Sequence, residues 1–412
     1  MASTSTSVKD MVDESLKGLA KELRQVNHQI WSNPETAFKE HKAHDTICDF
    51  LESQGFEVTR HAYGLDTSFE ARSGQGGRLV SFNAEYDALP NIGHACGHNL
   101  IATSSLAAFL ALSYALKKLN VPGRAQLLGT PAEEGGGGKV ELLKSGAYKD
   151  VGVTLMAHPA SSKSSGTIGK ALAGIGGVPM LARERMFCQF KGRNAHAGAN
   201  PWDGINALDA FVASYNGISM LRQQTVGTDR IHCAITDAPK AANIIPASTK
   251  AIFSTRADTV ASLKALSARV VKCVQAGALA TGCEVVIESE PYYADVLLND
   301  ALCGQWKSHM AEYGQDVLAV VPQMITASSD IGNVSYEMPT LHANFNIPAP
   351  EGISPHHASF ASAAGTDEAH DIAVMIGKSL ALVGLDVLTD ETLYKAITAE
   401  WQDKVPGPVS HL

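Results

Sequence analysis

The chain has 412 residues, of which 45% are hydrophobic and 18% are charged, and its formal net charge is −9 at pH 7. A chain of this length usually forms more than one hydrophobic core, so we expect two domains. The composition argues against intrinsic disorder. No basic cluster marks a nucleic-acid surface, and we expect no stretch of about 18 apolar residues that could span a membrane, so neither nucleic acid nor a membrane is expected as a partner. Seven scattered cysteines predict reduced thiols in an intracellular protein.

The first part of the chain alternates helix-like and strand-like segments. Apolar residues at helical spacing predict a helix over 8–31 and a second helix over 40–54. The segments predicted after these are strands at 56–63 and 77–90, a long apolar helix at 100–120, a strand from 123, a helix at 139–148 and a strand at 151–159. This alternation predicts an α/β domain whose sheet carries helices on both faces.

The pattern changes over residues 179–292, where the predicted order is strand, helix, strand, strand, helix and strand. This order is typical of a ferredoxin-like α+β unit. The earlier style of long helices and short strands resumes afterwards. We therefore predict a main domain formed by 1–178 and 293–412, with 179–292 inserted into it.

Polar clusters follow three predicted strand ends, at Glu85 to His98, at Glu133-Glu134 and at His158. Ligands of open α/β sheets bind outside the carboxyl ends of the strands. Cys96 and His98 stand two apart on a glycine-containing turn, so both can reach one ion. Thiolate, imidazole and carboxylate donors together suit zinc and similar transition ions better than calcium or magnesium.

The segment "EEGGGGK" has two alternative interpretations besides a solvated turn. A phosphate-binding loop is disfavoured, because the spacing departs from G-x-x-x-x-G-K-[ST] and two carboxylates would repel a phosphate. The other interpretation assigns one glutamate as a metal ligand and its neighbour as a general base toward a metal-activated water.

Several motifs give the sequence a family resemblance. They are "AEYDALPNIGHACGHNLIA", "TPAEEGGGGKVELLKSGAY", "MAHP", "GRNAHAGANPWDGINALDA", "SSDIGNVSYEMP" and "HHASF". In this order, over about residues 15–385, the chain resembles the zinc-dependent aminoacylase, carnosinase and carboxypeptidase-like amidohydrolases. The resemblance is strongest to peptidase-like dipeptidases and aminobenzoyl-glutamate hydrolases, with auxin-conjugate hydrolases slightly further off. It implies a zinc-peptidase-like catalytic domain with a mixed sheet and an inserted ferredoxin-like lid or dimerisation domain.

The resemblance also implies a set of metal ligands. Cys96 would bridge two divalent ions, where more distant relatives use Asp. The other implied ligands are His98, Glu134, His158 and a C-terminal histidine. For that histidine, His356 is favoured over His357, since it stands four residues before Phe360. We expect zinc, with manganese and cobalt as alternatives.

Further roles follow from the same resemblance. Glu133 becomes the general base, and Asp87 would orient a ligand from outside the coordination sphere, with Asp330 acting similarly. One position departs from the more distant relatives, because Glu85 stands where they carry a ligating histidine.

The inserted unit carries the remaining predicted site residues. His196 corresponds to a lid histidine that reaches across a dimer in relatives and polarises the scissile carbonyl. Asn243 and Arg256 stand where relatives hold the carboxylate of a small-molecule substrate. These assignments imply a homodimer.

The leading hypothesis is a metal-dependent amidohydrolase or dipeptidase that cleaves the amide bond of an N-acyl amino acid or a dipeptide with a free carboxylate. One alternative is a biosynthetic amide-forming or acyl-transfer enzyme that uses the same site. A minor alternative is a metal-binding relative without catalysis.

We expect a cytoplasmic protein. The terminal Ser410-His411-Leu412 adds peroxisomal import as an alternative, because it approximates the small residue, basic residue and leucine that the import receptor reads.

Overall fold

The computed structural model describes residues 7–161 and 172–406. Within these ranges the chain forms two compact units. The first draws on Met1–Pro179, Val296–Ile325 and Asn333–Leu412, and the second on Met180–Asp295 and Thr326–Gly332. The second unit thus gains a short segment beyond 179–292, where the Leu181 amide donates to the Ala327 carbonyl at 3.0 Å. Ser410-His411-Leu412 lies outside the described residues, so its peroxisomal role stays a prediction.

Twelve α-helices are found in 7–161 and 172–406. They are α1 (Val8–Lys17), α2 (Ala20–Ser32), α3 (His41–Ser53), α4 (His98–Leu119), α5 (Gly138–Lys144), α6 (Ala207–Leu221), α7 (Val260–Thr281), α8 (Asp300–Glu312), α9 (Ile331–Glu337), α10 (Ala358–Ala364), α11 (Asp367–Thr389) and α12 (Glu391–Lys404). The single helix predicted over 8–31 is wrong. The chain turns tightly at Gly18 and Leu19, where the Leu19 amide donates to the Leu16 carbonyl, and this separates α1 from α2.

The same described ranges contain fourteen strands. They are β1 (Val58–Arg60), β2 (Phe69–Gln75), β3 (Leu79–Ala84), β4 (Gly123–Gly129), β5 (Val151–Ala160), β6 (Gly174–Gly177), β7 (Ala182–Lys191), β8 (Ala195–His196), β9 (Arg230–Asp237), β10 (Ile244–Ile245), β11 (Ser248–Ala257), β12 (Glu284–Ser289), β13 (Val317–Val320) and β14 (Thr340–Asn346). Strands β2, β6, β8, β10 and β14 were not among the predicted elements. Of these, β2 is half polar, β6 consists largely of glycine, and β8 and β10 have only two residues each.

The first unit is built on an eight-stranded mixed sheet with the order β1-β2-β4-β3-β5-β14-β6-β13. Strands β4, β3, β5 and β14 pair in parallel, whereas β1, β2 and β6 introduce antiparallel pairs. The predicted α/β class is confirmed. Because the central strands are parallel, the loops that follow β3, β4 and β5 leave the sheet at the same edge.

Two long apolar helices, α4 and α11, pack against each other in the core of the first unit. By length and composition both could cross a membrane, so our expectation that the chain carries no such run is wrong. Their burial is typical of core helices of a globular domain, since 94% of the most apolar stretch of α4 and 67% of that of α11 are buried.

The second unit contains a four-stranded antiparallel sheet with the order β12-β7-β11-β9 and two helices, α6 and α7, that pack on it. Its chain order of strand, helix, two strands, helix and strand is the predicted ferredoxin-like one. A small ribbon of β8 and β10 stands beside this sheet.

Candidate metal centre

A sharp turn after β3 brings Cys96 and His98 together. Gly97, the residue immediately before α4, has φ +81°, and a Cβ there would lie 2.5 Å from Cγ of Pro159. Only glycine fits this close approach, because a side chain would strain the backbone and collide with the strand end that carries His158. Consequently, the Cys96 Sγ lies 3.4 Å from Nε2 of His158.

The glycine run after β4 is needed to close a tight loop. Gly136 and Gly137 have φ of +109° and +69°, and a Cβ on Gly138 would lie 1.8 Å from the Pro131 carbonyl oxygen. The Ala132 carbonyl accepts the Gly137 amide at 3.2 Å. The glycines therefore have a steric role, and the loop they close presents Glu133 and Glu134.

Asp87 connects the two loops. One carboxylate oxygen lies 2.9 Å from His98 Nδ1, and the other accepts the Glu134 backbone N–H at 2.9 Å. A hydrogen bond at Nδ1 leaves the lone pair of neutral His98 on Nε2. Asp87 therefore sets both the ring orientation of His98 and the path of the Glu134 backbone.

The other ring nitrogen of His98 faces carboxylates. Nε2 is buried and has no hydrogen-bond partner within the described ranges. It lies 3.6 Å from Oε2 of Glu85, and 3.9 Å from a carboxylate oxygen of each of Glu133 and Glu134. Burial opposes a positive charge on His98, but the neighbouring Asp87 and Cys96 raise its pKa well above the usual value. The surroundings of Nε2 therefore favour a cation, and a divalent metal that replaces the proton fits these residues.

Donor atoms of this region form overlapping groups. Cys96, His98 and His158 offer ligand atoms within 4.8 Å of one another, and so do Cys96, Glu134 and His356. A third group joins His98 with Glu133 and Glu134. The thiol of Cys96 is common to the first two groups, which is the arrangement that two neighbouring ions with one bridging ligand would need.

The two adjacent histidines before α10 have different surroundings. His356 has φ +69°, its amide donates to the Ala95 carbonyl at 2.8 Å, and its Nε2 lies 3.2 Å from Oε1 of Glu134. His357 caps α10, because its Nδ1 accepts the Ser359 amide at 3.1 Å. Of the two candidates, His356 is therefore the one placed beside the other predicted ligands.

Electrostatics in the cluster follow from burial and close neighbours. Burial raises the pKa of the Cys96 thiol well above its usual value, and the Glu134 carboxylate adds to this effect. Burial, with the nearby His98, lowers the pKa of His158 to about 4, so this imidazole is neutral and able to bind a metal. For Glu134, burial opposes the negative charge, but the hydrogen bond from His356 and the nearby charges of His98 and His356 together outweigh burial and lower the pKa to about 2.

Sequence reasoning missed Lys139. This residue is fully buried at the start of α5, and its ammonium donates to Glu85, which is also fully buried. A buried charge needs a partner, and here that partner stands 54 positions away in the chain, so the pairing leaves no local signal in the sequence.

His196 and Asn243 lie together at one end of the second unit. His196 pairs with Ile244 across the β8–β10 ribbon, and the Ala197 amide donates to the Asn243 carbonyl at 3.0 Å. Nδ1 of the exposed His196 accepts the amides of Gly198 and Ala199, at 3.2 and 3.0 Å. These two bonds place the proton of the neutral ring on Nε2, which can donate to a ligand.

Arg256 lies at the opposite end of the same sheet. Strand β11 begins at Ser248, close to the ribbon, and Arg256 stands eight residues further, or roughly 26 Å along the strand. Its Nη1 donates to the Thr326 carbonyl at 2.7 Å and to Oγ of Ser328 at 3.1 Å. The structure thus does not bring Asn243 and Arg256 of one chain to a common carboxylate. Asp330 is buried in the second unit.

One edge of the mixed α/β sheet thus carries a cluster of thiol, imidazole and carboxylate donors, with a further buried carboxylate beside it. This arrangement is typical of metal-dependent hydrolases. The family comparison is more specific. Residues 81–380 match the model of Peptidase family M20/M25/M40, and the chain belongs to this family.

Individual relatives agree with the family. The chain is 35% identical to the Xaa-Arg dipeptidase of Mus musculus over 408 residues, which cover 95% of this chain and 91% of that protein. It is 25% identical to one of the subunits of p-aminobenzoyl-glutamate hydrolase from Escherichia coli strain K12, with 95% and 94% covered. A dinuclear metal-binding M20 peptidase of Bacillus subtilis has a similar fold, with a TM-score of 0.61 at 20% identity, over 90% of this chain and 99% of that one.

The expected class of enzyme is confirmed by this family membership. The protein is a metallo-amidohydrolase that acts on C–N bonds and uses divalent metal ions.

Proposed function

We propose that the protein hydrolyses the amide bond of a dipeptide or an N-acyl amino acid whose leaving amino acid carries a free carboxylate. The observation that carries this proposal is the pair of donor groups that share Cys96, with the Glu133 carboxylate beside them. The names of two relatives, an Xaa-Arg dipeptidase and a p-aminobenzoyl-glutamate hydrolase, support the substrate class.

Two ions would occupy the centre, zinc in the first place, with manganese and cobalt as alternatives. Cys96, His98 and His158 would hold one ion, and Cys96, Glu134 and His356 the other. When bound, such ions supply Lewis-acid chemistry that polarises a carbonyl and lowers the pKa of water.

Glu133 would move the proton of the reaction. This residue is 7% exposed, and its carboxylate lies 3.9 Å from Nε2 of His98, so the carboxylate borders the donor cluster. There it would accept a proton from the attacking water and pass it to the leaving nitrogen. Asp87 would hold His98 and the Glu134 backbone in place throughout.

The second unit would contribute residues to two different sites of a homodimer. His196 and Arg256 are separated by the length of β11, so one small substrate cannot contact both residues of the same chain. Arg256 would bind the substrate carboxylate, while His196 of the partner subunit would donate its Nε2 proton to the scissile carbonyl oxygen. Trp202, which is 77% exposed beside the β8–β10 ribbon, supports an association surface at this end.

The experiment starts from metal-free protein prepared with a chelator and reloaded with zinc, manganese or cobalt. Dipeptides that end in arginine and N-acyl amino acids, including p-aminobenzoyl-glutamate, are assayed beside their C-terminally amidated forms. We expect the metal-loaded protein to cleave the free acids and the metal-free protein to leave them intact. Full activity of the metal-free protein, or no cleavage of any free acid, would refute the proposal. Mass spectrometry of the products with a competing amine separates hydrolysis from acyl transfer.

A further inference from the structure

A short segment near the N-terminus contacts both loops that carry the metal donors. We call residues 35–40 the collar. The Glu35 carbonyl accepts the Ala88 amide at 2.7 Å, directly after Asp87. The Phe38 ring lies against Gly136, where an added Cβ would approach the ring to 2.3 Å. The collar therefore contacts the loop that follows β3 and the loop that follows β4.

Glu40 ends the collar with a fully buried carboxylate. Oε1 accepts two backbone amides, from Ala132 at 2.9 Å and from Phe38 at 3.0 Å. Oε2 accepts the Thr67 hydroxyl at 2.8 Å. The bond to Ala132 links the collar to the residue immediately before Glu133.

Ala132 has a backbone conformation that its side chain disfavours. Its φ is +61°, in the left-handed region that residues with a Cβ rarely adopt. The peptide that follows Ala132 leads directly into Glu133 and Glu134, so a rotation at this residue would redirect both carboxylates. An interaction that holds Ala132 therefore also determines the direction of the proposed base and of one proposed ligand.

We propose that Glu40 is a positioning residue of the metal centre, whose carboxylate holds Ala132 in its left-handed conformation and thereby directs Glu133 and Glu134 toward the other donors. This inference rests on the proposed function for the roles of the two glutamates. It assigns no contact between Glu40 and the substrate or the metal.

A buried charge at this position is electrostatically unfavourable, which supports a specific role. Burial raises the pKa of Glu40 to about 7, and the nearby Asp87 carboxylate adds to the shift, while the hydrogen bonds from Thr67 and Ala132 oppose it. An apolar side chain would fill the same volume without this cost but could not accept the Ala132 amide.

The test compares Glu40→Ala and Glu40→Gln with the double variant Glu40→Ala/Ala132→Gly. Glutamine keeps one acceptor oxygen for the Ala132 amide, and its size guards against a folding defect. Glycine adopts φ +61° without a Cβ penalty, so the loop no longer depends on Glu40. The matched control is Glu70→Gln on β2, since Glu70 accepts bonds from Tyr63 and Gln126 rather than from the loop.

Three quantities are measured: the affinity for zinc by competition with a chelating indicator, the visible spectrum of the cobalt-loaded protein, and kcat and KM separately. Glu40→Ala should weaken zinc binding about tenfold, a typical effect of residues that support metal ligands, and should change the cobalt spectrum. It should also lower kcat about tenfold with little change in KM. Glu40→Gln should have a smaller effect, and Ala132→Gly should restore at least half of the loss on a logarithmic scale.

The proposal is overturned if Glu40→Ala lowers only the melting temperature while zinc affinity, cobalt spectrum and kcat match the control. It is also overturned if Ala132→Gly restores nothing. Failure of the proposed function is distinguishable, because zinc affinity and the cobalt spectrum report on Glu40 even if no amide substrate is cleaved.

Discussion

Replacing Asp87 with asparagine should weaken metal binding, because an amide cannot make both of the hydrogen bonds that the carboxylate makes at 2.9 Å with His98 and the Glu134 backbone. Which bond is lost depends on the orientation of the new amide. If the amide oxygen of the new side chain keeps the Glu134 N–H, its NH₂ group faces Nδ1 of His98. The neutral ring must then accept there and carry its proton on Nε2, which removes the lone pair from the donor cluster. If the amide is reversed, its NH₂ group faces the Glu134 N–H, and a buried donor loses its acceptor.

Either effect costs about 1–3 kcal/mol, the penalty of an unsatisfied buried hydrogen-bonding group. At about 1.4 kcal/mol per factor of ten, zinc affinity should fall roughly 5- to 150-fold. Competition with a chelating indicator measures this change directly, without an activity assay. Asp49→Asn is the matched control, because Asp49 is exposed on α3 and pairs only with Arg60 among the contacts described for it. Equal zinc affinity of Asp87→Asn and the control would refute the reasoning.

Other predictions concern the division of roles within the site. Glu133→Gln should retain most of the metal, measured by atomic absorption, yet lower kcat by roughly 10²-fold or more. Cys96→Ala should instead lose metal, and equal metal loss in both variants would contradict this division of roles. Mixing inactive His196→Ala with inactive Glu133→Gln should restore partial activity as subunits exchange, and a monomeric, fully active protein in sedimentation would exclude the cross-subunit role. Arg256→Lys should raise KM about tenfold for free acids, because the planar fork that binds carboxylates is lost, and leave KM for amidated analogues unchanged. Amidated substrates that turn over as well as free acids in the wild-type protein would show that this contact is not used.

Local pattern was enough to predict the α/β class, the inserted unit and the region of the donor cluster. Cys96 and His98 share one glycine turn, and Glu133 and Glu134 share one loop, so their proximity depends on few residues. The path of the chain from 8 to 31 could not be predicted equally well. The apolar periodicity of the sequence continues through Gly18, but a tight turn there divides the helix into two.

The sequence by itself determined which chemical groups are available and which strand ends carry them, because residue type and strand periodicity are local properties. Only the tertiary structure showed that His356, favoured by its spacing to Phe360, approaches Glu134, whereas His357 caps a helix. It also revealed the buried partner of Glu85 and the separation of His196 from Arg256 along β11. These features depend on packing between segments that are distant in the chain, where geometry and burial, rather than neighbouring residues, select the partner.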